Sequence, residues 1–161
     1  HPVNGVSRED ARAYCSWSGV RLPSEQEWEK AARGEDGRTY PWGNAEASCD
    51  HAVIREFKQP DGGGSDSTWP VGSKPSGASP YGALDMSGNV WEWTASRALP
   101  PDETHDDERN DLTTLGDVIV RGGSWFSSEP EAVRCGYRGI DLPQNVYYDV
   151  GFRVVIDNHQ P

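Results

Sequence analysis

Helical periodicity is confined to the first fifth of this 161-residue chain, which limits the architectures it can adopt. Ser7 precedes "REDARAYCSWSG", in which Asp10 completes a capping-box spacing. Ser24 precedes "EQEWEKAARG", in which Glu27 completes the same spacing. In both segments the apolar residues share one helical face and a glycine marks the end. The predicted helices cover residues 8–18 and 25–33.

The remainder of the chain is dominated by turn-forming residues, so its regular elements are predicted to be short. The sequence holds 18 glycines and 12 prolines, which favours a loop-rich α+β fold over a helix bundle. The acidic segment 102–111 is expected to be an exposed, mobile loop. No internal repeat is visible, and we expect one domain over residues 1–157 followed by a tail at 158–161. The predicted strands are 90–94, 118–121 and 151–156.

The charge of the chain restricts its partners. A net charge of −11 disfavours nucleic-acid backbones and anionic membranes, since both require a basic face, but it permits divalent cations. No apolar run approaches transmembrane length, so no membrane insertion is expected. The expected partner is therefore an unknown protein or a small-molecule ligand. The compartment, cytoplasmic or surface-displayed, stays open for a soluble domain of this kind.

The three cysteines do not form a recognisable framework. Cys15, Cys49 and Cys135 are odd in number and contain no CxxC pair, which fits neither a disulfide framework nor a zinc site. One disulfide with one free thiol is conceivable from the count. Three reduced, mostly buried thiols are the expected state in a cytoplasmic protein.

The stretch "DMSGNVWEWT" combines two carboxylates with a Gly-Asn turn. Calcium takes about six to eight oxygens from carboxylates and free backbone carbonyls. Asp85 and Glu92 offer carboxylates, and Gly88 and Val90 offer carbonyls released by the turn. The alternative is that Asp85 caps a turn, Glu92 is solvated and the two tryptophans belong to a core. A general acid/base pair is disfavoured because no nucleophile lies nearby in sequence.

Five segments, taken in order, resemble the formylglycine-generating enzyme (sulfatase-modifying factor) family. They are "RLPSEQEWEKAARG", "YPWGN", "PVGSKPSGASPYGALDMSGNVWEWT", "VIVRGGSW" and "VGFRVV", and the resemblance runs from Val3 to Val155. It implies an α+β fold of the C-type lectin type, with two helices, short antiparallel strands and much irregular backbone. It also implies calcium as a cofactor at the position of Asp85, Gly88, Val90 and Glu92. A second family calcium site would fall between residues 50 and 66, where the match is too poor to assign ligands.

The resemblance also tests whether the family's oxidation chemistry is present. Formylglycine-generating enzymes use a pair of cysteines that bind copper(I), a soft ion suited to thiolates. Counting back from Gly151 places the second cysteine at Cys135 and the first at Pro130. Because proline carries no thiol, copper is not expected and no catalytic residue is assigned. Cys135 would act only if the chain were an atypical metal-dependent oxidase of a thiol or peptide side chain.

Two further kinds of catalysis find little support in the sequence. A second enzymatic branch of the family, the sulfoxide synthases, binds iron, which needs histidines clustered with a carboxylate or a third histidine. Ser124 in "GGSW" lacks the GxSxG elbow of a serine hydrolase. The four histidines are scattered along the chain, at His1, His51, His105 and His159.

The leading expectation is a non-catalytic ligand- or protein-binding domain. The "GGSW" and "GFR" segments resemble the anchors that flank the variable surface in proteins diversified by retroelements. Residues 121–125 and 151–153 are accordingly expected to be structural. Exposed tyrosines among small and polar residues are typical of adaptable binding surfaces. The predicted ligand-binding residues are Phe126, Ser128, Tyr137, Ile140, Asp141, Tyr147, Tyr148 and Asp149, with Leu142 between them.

Overall fold

The structure, a computed structural model, describes residues 1–55, 66–98 and 116–157. The predicted acidic loop at 102–111 and the tail at 158–161 lie outside these ranges. The regular elements are α1 (Arg8–Ser18), α2 (Glu25–Arg33), β1 (Trp91–Arg97), β2 (Val118–Arg121), β3 (Gly139–Asp141) and β4 (Val150–Gly151). Two 3₁₀ turns cover Pro75–Gly77 and Pro130–Val133. No helix in the described ranges is long and apolar enough to cross a membrane.

Both predicted helices are confirmed, and local capping explains their starts. The Asp10 amide donates to Ser7 Oγ at 3.1 Å, and the Ser7 amide donates back to the Asp10 carboxylate at 3.0 Å. Ser24 and Glu27 form the same reciprocal box at the start of α2. These bonds satisfy amides that would otherwise lack a helical partner. The sequence therefore encodes both helix starts within four residues.

The four strands form one sheet in the order β3-β2-β1-β4. β1 pairs antiparallel with β2, and β2 pairs antiparallel with β3. β4 pairs parallel with β1, because the chain crosses from one edge of the sheet to the other after β3. The predicted strand 118–121 is confirmed, and 90–94 is confirmed but extends further. The strand predicted at 151–156 is wrong beyond Gly151, where the pairing reduces to a single bridge between Val155 and Arg21.

The core is small and depends on tryptophans. Trp28 and Trp93 are almost fully buried, and Trp93 donates its indole N–H to the Val6 carbonyl at 3.0 Å. Arg8 is also buried, and it donates to the Thr94 carbonyl of β1 at 3.0 Å. Large aromatic side chains bury much apolar area per residue, which suits a chain with few regular elements. Three buried clusters result, centred on Trp93, on Trp28 and on Tyr40.

Candidate functional site

The "DMSGNVWE" stretch forms a mostly buried loop that runs into β1, whose first two residues are Trp91 and Glu92. Asp85 and Asn89 have positive φ angles of 55° and 65°, a conformation that Asp and Asn tolerate better than most residues. Gly88 passes so close to Val53 that a Cβ would lie 2.5 Å from the Val53 carbonyl oxygen. The Asn89 side chain binds both backbone groups of Trp69, at 3.1 and 3.2 Å. The loop is therefore held by side chains and close backbone contact.

Glu92 is buried rather than solvated, and both of its oxygens accept hydrogen bonds. Trp28 Nε1 donates to one oxygen at 2.6 Å, and Arg153 donates to both, at 2.5 and 2.7 Å. Arg153 Nη2 also donates to the carbonyls of Leu84 and Asp85, each at 3.2 Å. Burial would lower the pKa of Arg153, but the charge and hydrogen bonds of Glu92, together with the charge of Asp85, raise the pKa on balance. Arg153 therefore stays charged and joins the "GFR" segment to the loop.

The four residues predicted to bind calcium line one cavity of about 820 Å³ between α1, the loop and the C-terminal segment. Asp85 projects a carboxylate there, whose Oδ2 accepts the Gly72 amide at 2.7 Å. The four predicted residues offer carboxylate and carbonyl oxygens, which are the ligands that calcium prefers. The fit is partial, because Glu92 is already engaged by Arg153. No cluster of three His, Cys, Asp or Glu side chains suited to a metal occurs in residues 1–55, 66–98 and 116–157.

Cys135 is enclosed in the core beside Trp28 and Met86. Burial raises the pKa of its thiol to about 11. The thiolate is the form that attacks electrophiles and binds soft metals, so this environment opposes both. Pro130 opens the second 3₁₀ turn and supplies no second thiol. Cys15 and Cys49 pack in different clusters, and no disulfide joins the three cysteines in the described ranges.

The predicted ligand-binding segment carries a concentration of exposed apolar side chains. Its large members are between 42% and 61% exposed: Phe126, Tyr137, Ile140, Tyr147 and Tyr148. Leu142 and Val146 add to the same segment. Ser128 is exposed, whereas Asp141 and Asp149 are half-buried. We call the exposed and half-buried residues of the segment 126–149 the distal surface.

One aromatic cluster occupies one part of the distal surface. The ring centroids of Trp125 and Phe126 are 5.5 Å apart, and that of Tyr148 lies 5.8 Å from Trp125 and 6.3 Å from Phe126. The Arg55 guanidinium lies 4.9 Å from the Phe126 ring centroid, within the range of a cation–π contact. Trp125 is half-buried and so belongs to both the scaffold and the surface, in contrast to the purely structural role expected for it.

A second part of the distal surface surrounds a shallow cavity of about 290 Å³. Ile140, Asp141, Tyr147 and Asp149 are among the residues that line it. The Asn145 side chain donates to Asp141 Oδ1 at 2.7 Å. Both polar and apolar groups therefore line this depression.

The backbone of the distal surface is fixed by the scaffold beneath it. Ser124 Oγ donates to Asp149 Oδ2 at 2.8 Å, and the Asp149 carbonyl accepts the Trp91 amide at 2.9 Å. The Tyr147 carbonyl accepts the Gly5 amide at 3.1 Å. Asp149 thus serves mainly to connect the surface to β1. The aromatic side chains project from a backbone that is already ordered.

The first four residues of the "RGGSW" segment are buried, which is compatible with the structural role expected for them. Arg121 is fully buried and donates to the Glu25 and Glu29 carboxylates at 3.1 and 2.6 Å. Its Nη2 also donates to the Cys135 carbonyl at 2.6 Å. A buried arginine needs such acceptors because an unpaired charge is costly to bury.

The family model for the sulfatase-modifying factor enzyme 1-like domain matches residues 1–158. The chain belongs to this family.

Curated members with different names are similar to this domain over nearly its whole length. Hercynine oxygenase of Mycolicibacterium smegmatis is 38% identical across 97% of this chain and 37% of its own length. Inactive C-alpha-formylglycine-generating enzyme 2 of Bos taurus is 38% identical across 94% of this chain and 49% of its own. Formylglycine-generating enzyme of Mycobacterium tuberculosis is 37% identical across 98% of this chain and 58% of its own. The chain spans about a third to a half of the first two relatives.

Solved structures agree with the sulfatase-modifying-factor fold. PvdO from Pseudomonas aeruginosa superposes with a TM-score of 0.74 and 28% identity, covering 96% of this chain and 61% of PvdO. Treponema denticola variable protein 1 superposes with a TM-score of 0.67 and 27% identity, covering 84% of this chain and 46% of that protein. The predicted α+β, C-type-lectin-like fold is confirmed. The predicted relation to variable proteins is supported by the second match.

Sequence reasoning missed several residues that shape the site in this member of the family. Arg153 was expected to be a structural anchor, but its ion pair with Glu92 was not foreseen. Nothing in the sequence marked Arg55 as a contact of Phe126, since a single arginine at the edge of a loop can serve many roles. Asp10 was predicted only as a capping residue, yet it also lines the 820 Å³ cavity.

Proposed function

We propose that this domain is a non-catalytic binding module that recognises a protein or small-molecule ligand through the distal surface. The observation that carries this proposal is the set of exposed tyrosine, phenylalanine and isoleucine side chains on an anchored backbone. Single exposed apolar residues are ordinary, whereas a contiguous group marks an interaction site.

The composition of the distal surface supports recognition of a varied or adaptable kind. Tyrosine offers a large contact area and a polar group while losing little conformational entropy on binding. The similarity to Treponema denticola variable protein 1 supports the more specific proposal that residues 126–149 are a variable segment on a constant scaffold. The buried Arg121 and Ser124 would belong to that constant part.

The alternative function is an atypical metal-dependent oxidase that acts on a thiol or peptide side chain, as the names of several relatives suggest. The buried thiol of Cys135, with its raised pKa, weighs against this alternative. A relative named inactive C-alpha-formylglycine-generating enzyme 2 supports the view that a protein with this domain need not be such an enzyme.

Calcium binding at the "DMSGNVWE" loop is a separate proposal about stability. Asp85 would supply a carboxylate oxygen, Gly88 and Val90 carbonyl oxygens, and Glu92 would share its carboxylate with Arg153. The ion would supply positive charge that holds these oxygens together. Support comes from the family resemblance and from the four residues lining one cavity.

Binding to an array of glycans, peptides and folded proteins tests the proposed function. A variant with Tyr137→Ser, Tyr147→Ser and Tyr148→Ser should lose the contacts that the parent makes. The control carries Trp17→Ser and Tyr81→Ser, which remove exposed aromatic rings outside the distal surface. Both variants should retain the parent's circular dichroism spectrum. Array contacts that survive the triple substitution, or that only the control loses, would refute the assignment of the distal surface.

A further inference from the structure

We infer that the 820 Å³ cavity between α1 and the C-terminal segment is a second ligand site, which takes a small organic cation with an apolar body. None of the residues that line this cavity belongs to the distal surface. The inference therefore does not depend on the proposed function.

The size and walls of the cavity suit an apolar body. Pockets for small molecules commonly measure about 300–1,000 Å³ and have mostly apolar walls with a few polar groups. The Tyr14 and Phe152 rings pack against each other in part of this wall, with centroids 5.6 Å apart and ring planes inclined by 60°. The aliphatic part of the lining comes from Val3, Val6, Val71, Leu84, Val90 and Val154.

The charges on the walls favour a cation. Asp10, Asp85 and Glu92 contribute carboxylates, while Arg153 is the one cationic side chain among the described lining residues. Arg153 is already paired with Glu92. Asp10, which is exposed, and Asp85 form no salt bridge within the described part of the chain, although the Asp85 carboxylate lies close enough to Arg153 to raise its pKa. The lining therefore holds three carboxylates against one guanidinium and is negative on balance. An unbalanced negative charge beside an apolar wall attracts a cation and repels an anion.

Asp10 and Asp85 are each held in place by hydrogen bonds before a ligand arrives. Asp10 accepts from the amide and hydroxyl of Ser7, at 3.0 and 2.7 Å, and these bonds lower the pKa of its carboxyl group. Asp85 accepts from the Gly72 amide at 2.7 Å. A pre-positioned group costs less conformational entropy when a ligand binds.

Three matched probes test whether the cavity prefers a cation or binds any apolar molecule of this size. They are 2-phenylethylamine, 2-phenylethanol and 3-phenylpropionate, which share a phenyl ring but differ in charge. Binding is followed by the backbone amide signals of Gly72, Gly88 and Asn89 in heteronuclear NMR. A chelator is present so that calcium does not compete for Asp85. The amine should bind more tightly than the alcohol by on the order of three- to tenfold, and the carboxylate most weakly.

Variants that each remove one negative charge test whether Asp85 causes the preference for the amine. Asp85→Asn keeps a side-chain acceptor for Gly72 and tolerates the positive φ angle, so it should remove most of the preference for the amine. Glu9→Gln is the control, because it also removes one negative charge, but Glu9 lines a different cavity. Equal affinity for all three probes would overturn the inference. So would an absence of shifts at these three amides, or an unchanged preference in Asp85→Asn.

Discussion

The Arg153 guanidinium spans the Glu92 carboxylate, with Nε 2.5 Å from one oxygen and Nη2 2.7 Å from the other. The same guanidinium reaches the carbonyl oxygens of Leu84 and Asp85. Arg153 therefore ties the "GFR" segment to the "DMSGNVWE" loop, two motifs that are distant in sequence. It brings a permanent positive charge to a loop rich in oxygen acceptors.

The first prediction concerns this ion pair. Arg153→Met should lower the free energy of unfolding by about 3 kcal/mol or more, because it leaves Glu92 buried without its cation. Urea denaturation measures the change. Arg134→Met is the control, since it breaks an exposed pair with Glu131 and should cost roughly 0–1 kcal/mol. Equal losses in the two variants would contradict the structural role of Arg153.

The second prediction compares two tryptophans. Trp93→Ala should lower the free energy of unfolding by about 3–5 kcal/mol, because Trp93 is fully buried and donates to the Val6 carbonyl. Trp17→Ala should change it by no more than about 0.5 kcal/mol, because Trp17 is 82% exposed. Thermal or urea unfolding measures both. A large loss in Trp17→Ala would show that its ring is covered in solution.

The third prediction concerns calcium at the loop. Calcium at a hundredfold excess over its Kd should stabilise the fold by about 2.7 kcal/mol, and a chelator should reverse the rise in melting temperature. Asp85→Asn should weaken this response because it removes one of the negative oxygens. Magnesium should act less strongly, since it dehydrates reluctantly. A melting temperature that changes with neither calcium nor chelator would contradict calcium binding at this loop.

The fourth prediction follows from the pKa of Cys135, which burial raises from 9.0 to about 11. A raised pKa means that the folded state retains the thiol proton to higher pH than the unfolded state. The resulting stability is present below about pH 9 and is lost as the pH rises toward 11. The stability difference between the parent and Cys135→Ala, measured by urea unfolding, should shrink across this range. A difference that does not vary with pH would contradict the buried thiol.

The features predicted correctly from sequence are those with local causes or family motifs. Each capping box, at Ser7 and at Ser24, lies within four residues, so the starts of both helices could be predicted. Strand β4 could not, because its short pairing depends on β1 and on a bridge from Gly151 to Asn4. The contact between Glu92 and Arg153 joins residues 61 positions apart, and no periodic pattern signals it.

The two candidate sites also differ in how far they could be predicted from the sequence. The resemblance of the "GGSW" and "GFR" motifs to those that flank a variable segment allowed the exposed residues of the distal surface to be named in advance. Their role as ligand contacts stays a prediction. The cavity beside α1 combines Asp10, Asp85 and Phe152 from three separate segments, and only the folded chain brings them together. Residue types alone also suggested that Glu92 was free to bind an ion, because its cationic neighbour comes from elsewhere in the chain.

Copper(I) titration under reducing conditions tests the central claim most directly, because a thiolate site is what separates the oxidase alternative from a binding module. The parent should take up no stoichiometric copper, and Cys135→Ala should behave identically, because the Cys135 thiol is buried and Pro130 provides no partner. One equivalent of tightly bound copper in the parent that disappears in Cys135→Ala would contradict the assignment of a non-catalytic binding domain.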